Sequence, residues 1–394
     1  MLPLKGLVVL AFEQALAGPL ATRLLHDQGA TVIKVERPGS GDLARHYEHT
    51  NAGVSSYFAW LNHGKESVAL DLKTAGGLEV AHRLADRADV ILQNYIPGAM
   101  TRLGLGPRQL RRRRPELIYA SVSGYGESGP YAQRKAYDLL IQAETGVVAV
   151  TGDGDLRVKA GVSLCDIAAA TQAAIGILGA VAGLRRDGHG ATLSVSMFEA
   201  SLDWTSPTLG LYLATGVEPR PVGLHHLHIA PYGPFRCGDG GSIFLVTQQD
   251  REWHDLCVRV FDRTDLAVDP RFALMRDRMA NRSALHEAIE DVLAGAPAAE
   301  WEAKLVDAEM PTARLRGVAE VATHPVVAEL ELLRSLDTNQ GEVRMPRAPL
   351  HTSAGETGGG AHIPDVGEHT DTWLRRLGYT ASQRRALRTG GAVG

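Results

Sequence analysis

Cysteine is scarce in this chain. Three thiols in 394 residues (Cys165, Cys237, Cys257) share no metal or redox spacing. They read as reduced cysteines, and a disulfide framework is excluded. An excess of positive charge is lacking as well: 41 Lys and Arg stand against 45 Asp and Glu, a net charge of −4. General attraction to nucleic acid or to an anionic membrane is therefore not expected. The one dense basic run, Arg111 to Arg114, reads as the solvated last turn of a helix stopped by Pro115. No basic segment followed by an apolar core and a cleavage site opens the chain, so a signal peptide is not expected and a cytoplasmic location is. The first strand–helix turn, Phe12 to Gly18, lacks G-x-G-x-x-G, the backbone that seats a pyrophosphate. A bound dinucleotide is not expected. No internal repeat is present.

What is there is an ordinary globular composition, 44% hydrophobic and 22% charged, long enough for two or more domains. One stretch stands out. From Ile167 to Leu184 the chain carries no charge and is rich in alanine and glycine, with Asp166 just ahead of it. Its length suits a membrane span, but its small residues and the lack of aromatic belts favour a buried core helix. A carboxylate entering an apolar helix needs compensation for lost hydration, and the free N–H groups of a first turn supply it. Such an aspartate suits an oxygen nucleophile. It suits a plain helix cap equally well, and the residues alone leave both open.

The rest of the chain reads as alternating strands and helices. Leu7–Leu10, an amphipathic stretch from Pro19 to Gln28, and Thr31–Val35 form a βαβ unit, which implies a parallel sheet. Val68–Leu70, Ala75–Ala88, Val90–Leu92, Pro107–Arg114 and Leu117–Val122 continue the alternation. Gln93 to Ala99 form a polar turn at the carboxyl end of a strand, where open α/β sheets place their ligands. Thr151–Asp155 reads as a glycine turn, Ala191–Val195 as a strand and Met197–Trp204 as a helix. From about Pro219 the character changes to a histidine-bearing loop, a hairpin over Pro234–Val246, and helices at Glu252–Val260, Arg282–Leu293 and Ala299–Ala308. The expected organisation is α/β: a large Rossmann-like domain with a parallel sheet over 1–218, a smaller α+β domain over 219–325, and a segment 326–394 that returns to the first.

Several short motifs then occur in order. They are Gly18-Pro19, Gly29-Ala30-x-Val32-Ile33-Lys34-Val35-Glu36-Arg37-Pro38, Asn62-x-x-Lys65, Leu70-Asp71-Leu72-Lys73 and Asn94-Tyr95-x-Pro97-Gly98. Gly124-x-Gly126-x-x-Gly129-Pro130, Lys135-Ala136-Tyr137-Asp138, Asp166 and Gly367-Glu368-His369-Thr370-Asp371 follow. Each is weak alone. In this order and at these intervals, over nearly the whole chain, they resemble the family III CoA transferases, which also contain 2-methylacyl-CoA racemases. The resemblance implies a Rossmann-like large domain built from both ends of the chain, an interlocked homodimer, and coenzyme A as part of substrate and product without a metal. It places the catalytic aspartate at Asp166, with Gln14 as a side-chain donor beside it. CoA contacts fall at Ala15, Arg37, Leu70, Lys73, Asn94, Tyr95, Arg102 and Lys135.

Transfer of CoA between two carboxylic acids requires a group that holds an acyl unit while the thiolate waits, and a carboxylate does this. With the resemblance, the nucleophile reading of Asp166 overtakes the cap. His225, His226 and His228 share one loop without a fourth ligand, so contact with an acceptor acid, together with Tyr137, is the simpler reading than a metal site. The loop Ile229-Ala230-Pro231-Tyr232-Gly233 looks like that of relatives using itaconate, mesaconate, malate or citramalate, with succinyl-CoA as a donor. It departs from the glycine run of oxalate-using members. The racemase alternative needs two acid–base groups, and the position where racemases carry histidine is Tyr137, a phenol of pKa about 10. A catalytically silent CoA-binding protein on the same scaffold is the remaining alternative.

Overall fold

The computed structural model describes residues 1–49 and 52–394, which divide into two compact units. The first contains Met1–Val147, Ala160–Gly216 and Ala328–Gly394; the second contains Val148–Lys159 and Val217–Val327.

The first unit opens with β1 (Val8–Phe12), α1 (Ala17–His26), β2 (Thr31–Glu36), α2 (Ser56–Asn62), β3 (Glu66–Ala69) and α3 (Ala75–Ala85). It continues with β4 (Val90–Gln93), α4 (Ala99–Arg102), α5 (Pro107–Arg111), β5 (Ile118–Ser123) and α6 (Asp138–Glu144). A helical turn α7 (Val147–Val150) and the small hairpin β6 (Gly152–Asp153) and β7 (Leu156–Arg157) intervene. The unit resumes with α8 (Leu164–Asp187), β8 (Thr192–Ser196), α9 (Met197–Trp204) and α10 (Ser206–Thr215).

Six strands form one sheet in the order β3-β2-β1-β4-β5-β8, and every pairing is parallel. Alternate residues of each strand serve opposite faces, as the pleat requires. Val9, Ala11 and Val32 turn toward α1 and α8 in one core; Leu10, Phe12, Ile33 and Val35 turn toward α3, α4 and α5 in the other. The sheet is thus covered on both faces, the arrangement that a parallel sheet demands.

Helix α8 is the expected apolar helix, longer by three residues at each end. Its buried side is mostly alanine (Ala168, Ala169, Ala173, Ala174), which lets it lie close against α1. Its other side remains open: Ile175 is 57% exposed. By length and composition alone α8 is long and apolar enough to cross a membrane.

The C-terminal part of the first unit adds the antiparallel pair β12 (Leu333–Thr338) and β13 (Gly341–Pro346) and the helices α18 (Thr370–Arg376) and α19 (Ala381–Thr389). Trp373 and Leu374 of α18 complete the second core, together with Tyr379 and Val393.

The second unit has a three-stranded antiparallel sheet, β11-β10-β9, of Thr312–Arg314, Ser242–Val246 and Tyr232–Arg236. Its core gathers Phe235, Trp253, Phe272, Ile289, Trp301 and Leu305 around that sheet, drawing on α11 (Asp250–Asp255), α12 (Thr264–Val268), α13 (Met275–Ala280), α14 (Arg282–Leu293) and α15 (Ala298–Asp307); the short helices α16 (Val318–Ala322) and α17 (Pro325–Glu329) follow.

Candidate active site

In the large sheet the chain runs outward from β1 through β2 to β3, then returns to place β4 on the other side of β1. The connections after β1 and β4 therefore diverge, leaving a crevice at their carboxyl ends. Gln14 follows β1 and Asn94 follows β4, and the two bridge that crevice edge. The Gln14 N–H donates to Asn94 Oδ1 at 3.0 Å, and Asn94 Nδ2 donates to the Gln14 carbonyl at 2.9 Å. Burial first raises the pKa of Tyr95, while Lys34 and the Gln14 side-chain amide at its hydroxyl oppose the shift.

The other expected CoA residues follow the same strand ends. Arg37 comes directly after β2 and is exposed. Leu70 comes directly after β3 and is buried, with Lys73 exposed three residues on. Arg102 is exposed at the end of α4, and Lys135 and Tyr137 are exposed in the connection from β5 to α6. The sheet thus gathers Gln14, Ala15, Arg37, Leu70, Lys73, Asn94 and Tyr95 along one edge.

Asp166 is the third residue of α8 and is half-buried. It does not cap its own helix. Asp138, at the head of α6, takes that place: its Oδ1 accepts from the Cys165 N–H at 2.8 Å and from the Asp166 N–H at 3.3 Å. Its Oδ2 accepts from Gln142 Nε2 at 2.5 Å. The Asp166 carboxylate is left to face α1, where the Ala17 N–H engages it. Burial, and after it the like charge of Asp138, push the Asp166 carboxyl up to about 7, with the Ala17 N–H pulling the other way. Tyr47 lies within electrostatic reach of Asp166, Asp42 and Tyr137; burial first and those groups next raise its phenol.

Beneath the β1–α1 connection lies a cluster of buried charges that the sequence reading did not single out. Lys65 Nζ contacts Glu13 Oε1 at 2.7 Å, and Lys34 Nζ contacts Asp42 Oδ2 at 2.7 Å and Glu13 Oε1 at 3.4 Å. Two cations meet two carboxylates, so the group is neutral as a whole, which is what burial requires. For Lys34, burial opposes the charge, but Asp42 and Glu13 outweigh it and hold the ammonium above its usual range. For Lys65 burial wins, and the amine is lowered to about 8 despite Glu13. The available signal in the sequence is Lys34 itself, a lysine inside the apolar strand Val32-Ile33-Lys34-Val35.

In the second unit, the three loop histidines have different surroundings. His225 packs on His286 at 4.3 Å between ring centroids and edge-on to Phe235 at 5.6 Å. His226 stacks on Tyr232 at 5.0 Å, and its Nδ1 accepts from the His228 N–H at 3.1 Å. Burial lowers the pKa of both His225 and His226. His228 is exposed. Among the described residues no group of three or more His, Cys, Asp or Glu side chains is arranged to hold a metal ion.

The family model described as CoA-transferase family III matches residues 4–370. An acetyl-CoA:oxalate CoA-transferase of Acetobacter aceti is 38% identical over 353 residues, 89% of each chain. A succinyl-CoA:mesaconate CoA-transferase of Haloarcula hispanica is 31% identical over 394 residues, 97% of this chain and 98% of that one. The crystal structure of a CAIB/BAIF family protein from Brucella suis is 31% identical and superposes with a TM-score of 0.84, covering 95% of this chain and 99% of that chain.

Proposed function

The chain belongs to CoA-transferase family III and is a CoA transferase, and from that premise we propose that it moves CoA from succinyl-CoA or a similar donor to a short dicarboxylic acid, with Asp166 as the covalent carrier. The observation that carries this reading is the placement of Asp166. Another carboxylate caps its helix, so its own oxygens face the N–H of Ala17 beside the switch point of the sheet.

In the proposed sequence, an Asp166 oxygen attacks the thioester carbonyl of the donor and expels CoA thiolate, leaving a mixed anhydride. The thiolate attacks the Asp166 carbonyl of that anhydride and releases the donor acid, which leaves an aspartyl-CoA thioester. The acceptor carboxylate attacks this thioester, regenerating the thiolate and a second anhydride. Thiolate attack on the acceptor's carbonyl then yields the new acyl-CoA and restores Asp166. Each tetrahedral intermediate needs N–H donors, and that role is assigned to the Gln14 side chain and to the Ala17 N–H, which engages Asp166. CoA is assigned to Ala15, Arg37, Leu70, Lys73, Asn94, Tyr95, Arg102 and Lys135, and the acceptor to Tyr137 and the loop of His225, His226 and His228.

The acceptor class draws on the relatives, whose names include oxalate, mesaconate, glutarate and D-citramalate. Four- and five-carbon diacids come first on the His225–Gly233 loop; oxalate is the second reading, carried by the relative at 38% identity. A homodimer is part of the proposal. Helix α10 is apolar yet buries none of its residues, and Leu213 is 74% exposed, so the first unit carries a face that suits a second copy.

The test is a mass-spectrometric exchange assay of succinyl-CoA or acetyl-CoA against itaconate, mesaconate, malate, citramalate, glutarate and oxalate. New acyl-CoA masses that vanish in Asp166→Ala, while that variant still binds CoA, are the expected result. Transfer by Asp166→Ala would remove the covalent mechanism. Deuterium uptake at the α-carbon of 2-methylacyl-CoA without any transfer would put a racemase in its place.

A further inference from the structure

We propose that Asp42 is a positioning residue for the transfer reaction, locking Ala15 in the left-handed conformation and thereby holding the Gln14–Ala17 segment against Asp166. The inference rests on the reading of Asp166 as nucleophile. Ala15 has φ 63°, a region that side chains other than glycine seldom occupy. Something must hold it there.

Asp42 is the group in place to do so. It is 1% exposed, and its Oδ1 accepts from the Ala15 N–H at 2.9 Å across 27 residues of chain. The same oxygen caps a short 3-10 helix over Leu43–His46 by accepting from the Ala44 N–H at 2.9 Å. Its other oxygen is fixed by Lys34 Nζ at 2.7 Å. A cap alone needs one of these bonds, and its partner lies two residues away. The Ala15 bond does nothing for that cap; it ties the β2–α2 connection to the loop after β1. Two residues beyond Ala15, the Ala17 N–H meets the Asp166 carboxylate. Asn94 holds Gln14 by both backbone groups, so the segment is fixed from two sides.

Losing the Asp42 bond frees Ala15 to leave the left-handed region and carries the Ala17 N–H away from Asp166. Misplacement on this scale lowers the rate of a chemical step with little need for lost substrate affinity. It also removes a donor from the ionised carboxylate, which raises the pH at which Asp166 ionises. The other titratable groups facing Asp166 are Asp138 from α6, Tyr47 from the connection after the 3-10 helix, and Cys165 on its own helix, all of which the substitutions below leave in place.

The test compares Asp42→Ala, which removes the acceptor for the Ala15 N–H, and Asp42→Glu with the parent protein. The glutamate keeps a negative charge opposite Lys34 but displaces the acceptor from Ala15. The first readout is kcat and KM with pH. The second is the pH dependence of carbodiimide-driven amidation of Asp166, followed by peptide mass spectrometry, which needs no turnover. Both variants are expected to lose kcat by about tenfold to a hundredfold. Their amidation midpoint and their acid limb are both expected to move up by about half a pH unit or more. A core substitution in the second unit, Ile289→Val, serves as a control for lost stability, and its midpoint is expected to stay where it was. Unchanged kcat and midpoint in the folded variants would overturn the proposal, as would an equal shift in the control. Failure of both variants to fold would make Asp42 a scaffold residue and overturn it too. Were the parent protein to show no CoA transfer at all, the proposed function would fail while the amidation experiment still decided the role of Asp42.

Discussion

Asp138 caps the helix that carries Asp166: its Oδ1 accepts from the Asp166 N–H at 3.3 Å, and its charge adds to burial in raising the Asp166 carboxyl. One residue thus bears on both the position and the ionisation of the other.

Asp138→Asn keeps a carbonyl oxygen for the Cys165 N–H and removes the negative charge. The Asp166 carboxyl then ionises more readily. The acid limb of kcat/KM, expected near pH 7 in the parent protein, moves to lower pH. A limb that stays in place would mean that burial alone sets the value.

Stability should follow the same group. The folded carboxyl titrates near 7 and the unfolded one near 3.8, so folding holds on to a proton between those values. Its contribution is fully present below about pH 4 and is lost as pH rises through about 7. Asp166→Asn, which never ionises, should gain on the parent protein across that window. The difference has an upper bound of about 4 kcal/mol at pH 8, reduced by solvent screening because Asp166 is half-buried. Urea unfolding of both proteins at pH 5 and pH 8 measures it; equal differences at the two pH values would count against the shift.

Gly18 is hemmed in. A Cβ there would sit 3.0 Å from Glu13 Cβ and 3.1 Å from Asn94 Cγ. Gly18→Ala should lower stability by about 1–3 kcal/mol, and should reduce kcat because Asn94 must shift its hold on Gln14. Steady-state kinetics alongside urea melts separate the two effects, and full activity would show that Asn94 yields freely.

The proposed dimer makes a sharper demand on α10. Leu213→Glu introduces a charge on its apolar, exposed side and should shift the mass measured by light scattering from two copies toward one. A parent protein that is already monomeric would remove the dimer from the proposal.

Much of this architecture is legible in the sequence where local pattern and global role agree. The βαβ alternation and the acidic entry to an apolar helix are such features, and the helix over Met197–Trp204 occupies the expected residues. Several elements escaped, and three of them show why. Helix α10 is apolar on all sides, so it shows no amphipathic period. Strand β12 reads Leu-Arg-Ser-Leu-Asp-Thr, with one buried side chain, Leu336, and too little apolar alternation to declare a strand. Helix α19 has a capping box at Thr380 and Gln383, but only Leu387 reaches the core, and one apolar anchor in nine mostly polar residues is too short a pattern to read.

The site divides the same way. The turn from Gln93 to Ala99 could be read because a polar turn after a parallel strand is a local signal, whereas the other strand-end positions rest on the family resemblance. The role of Asp138 was not, since its partners lie 27 and 28 residues away. Nor was the pairing of Lys34 and Lys65 with Glu13 and Asp42, which no spacing rule relates. Long-range charge neutralisation is a property of the fold.

The order in which the chain is made adds a consequence. All six strands of the large sheet lie before Met197, whereas Trp373, Leu374 and Val393, which finish one of its two cores, come from the last part of the first unit. On the ribosome the sheet is therefore complete long before that face is sealed, and Val217–Val327, the larger part of the second unit, must emerge in between. During this interval Leu10, Phe12 and Ile33 depend on α3, α4 and α5 alone for cover. Exposed apolar surface of this kind invites chaperone capture and aggregation. A premature stop after the second unit would thus endanger the domain that was synthesised first.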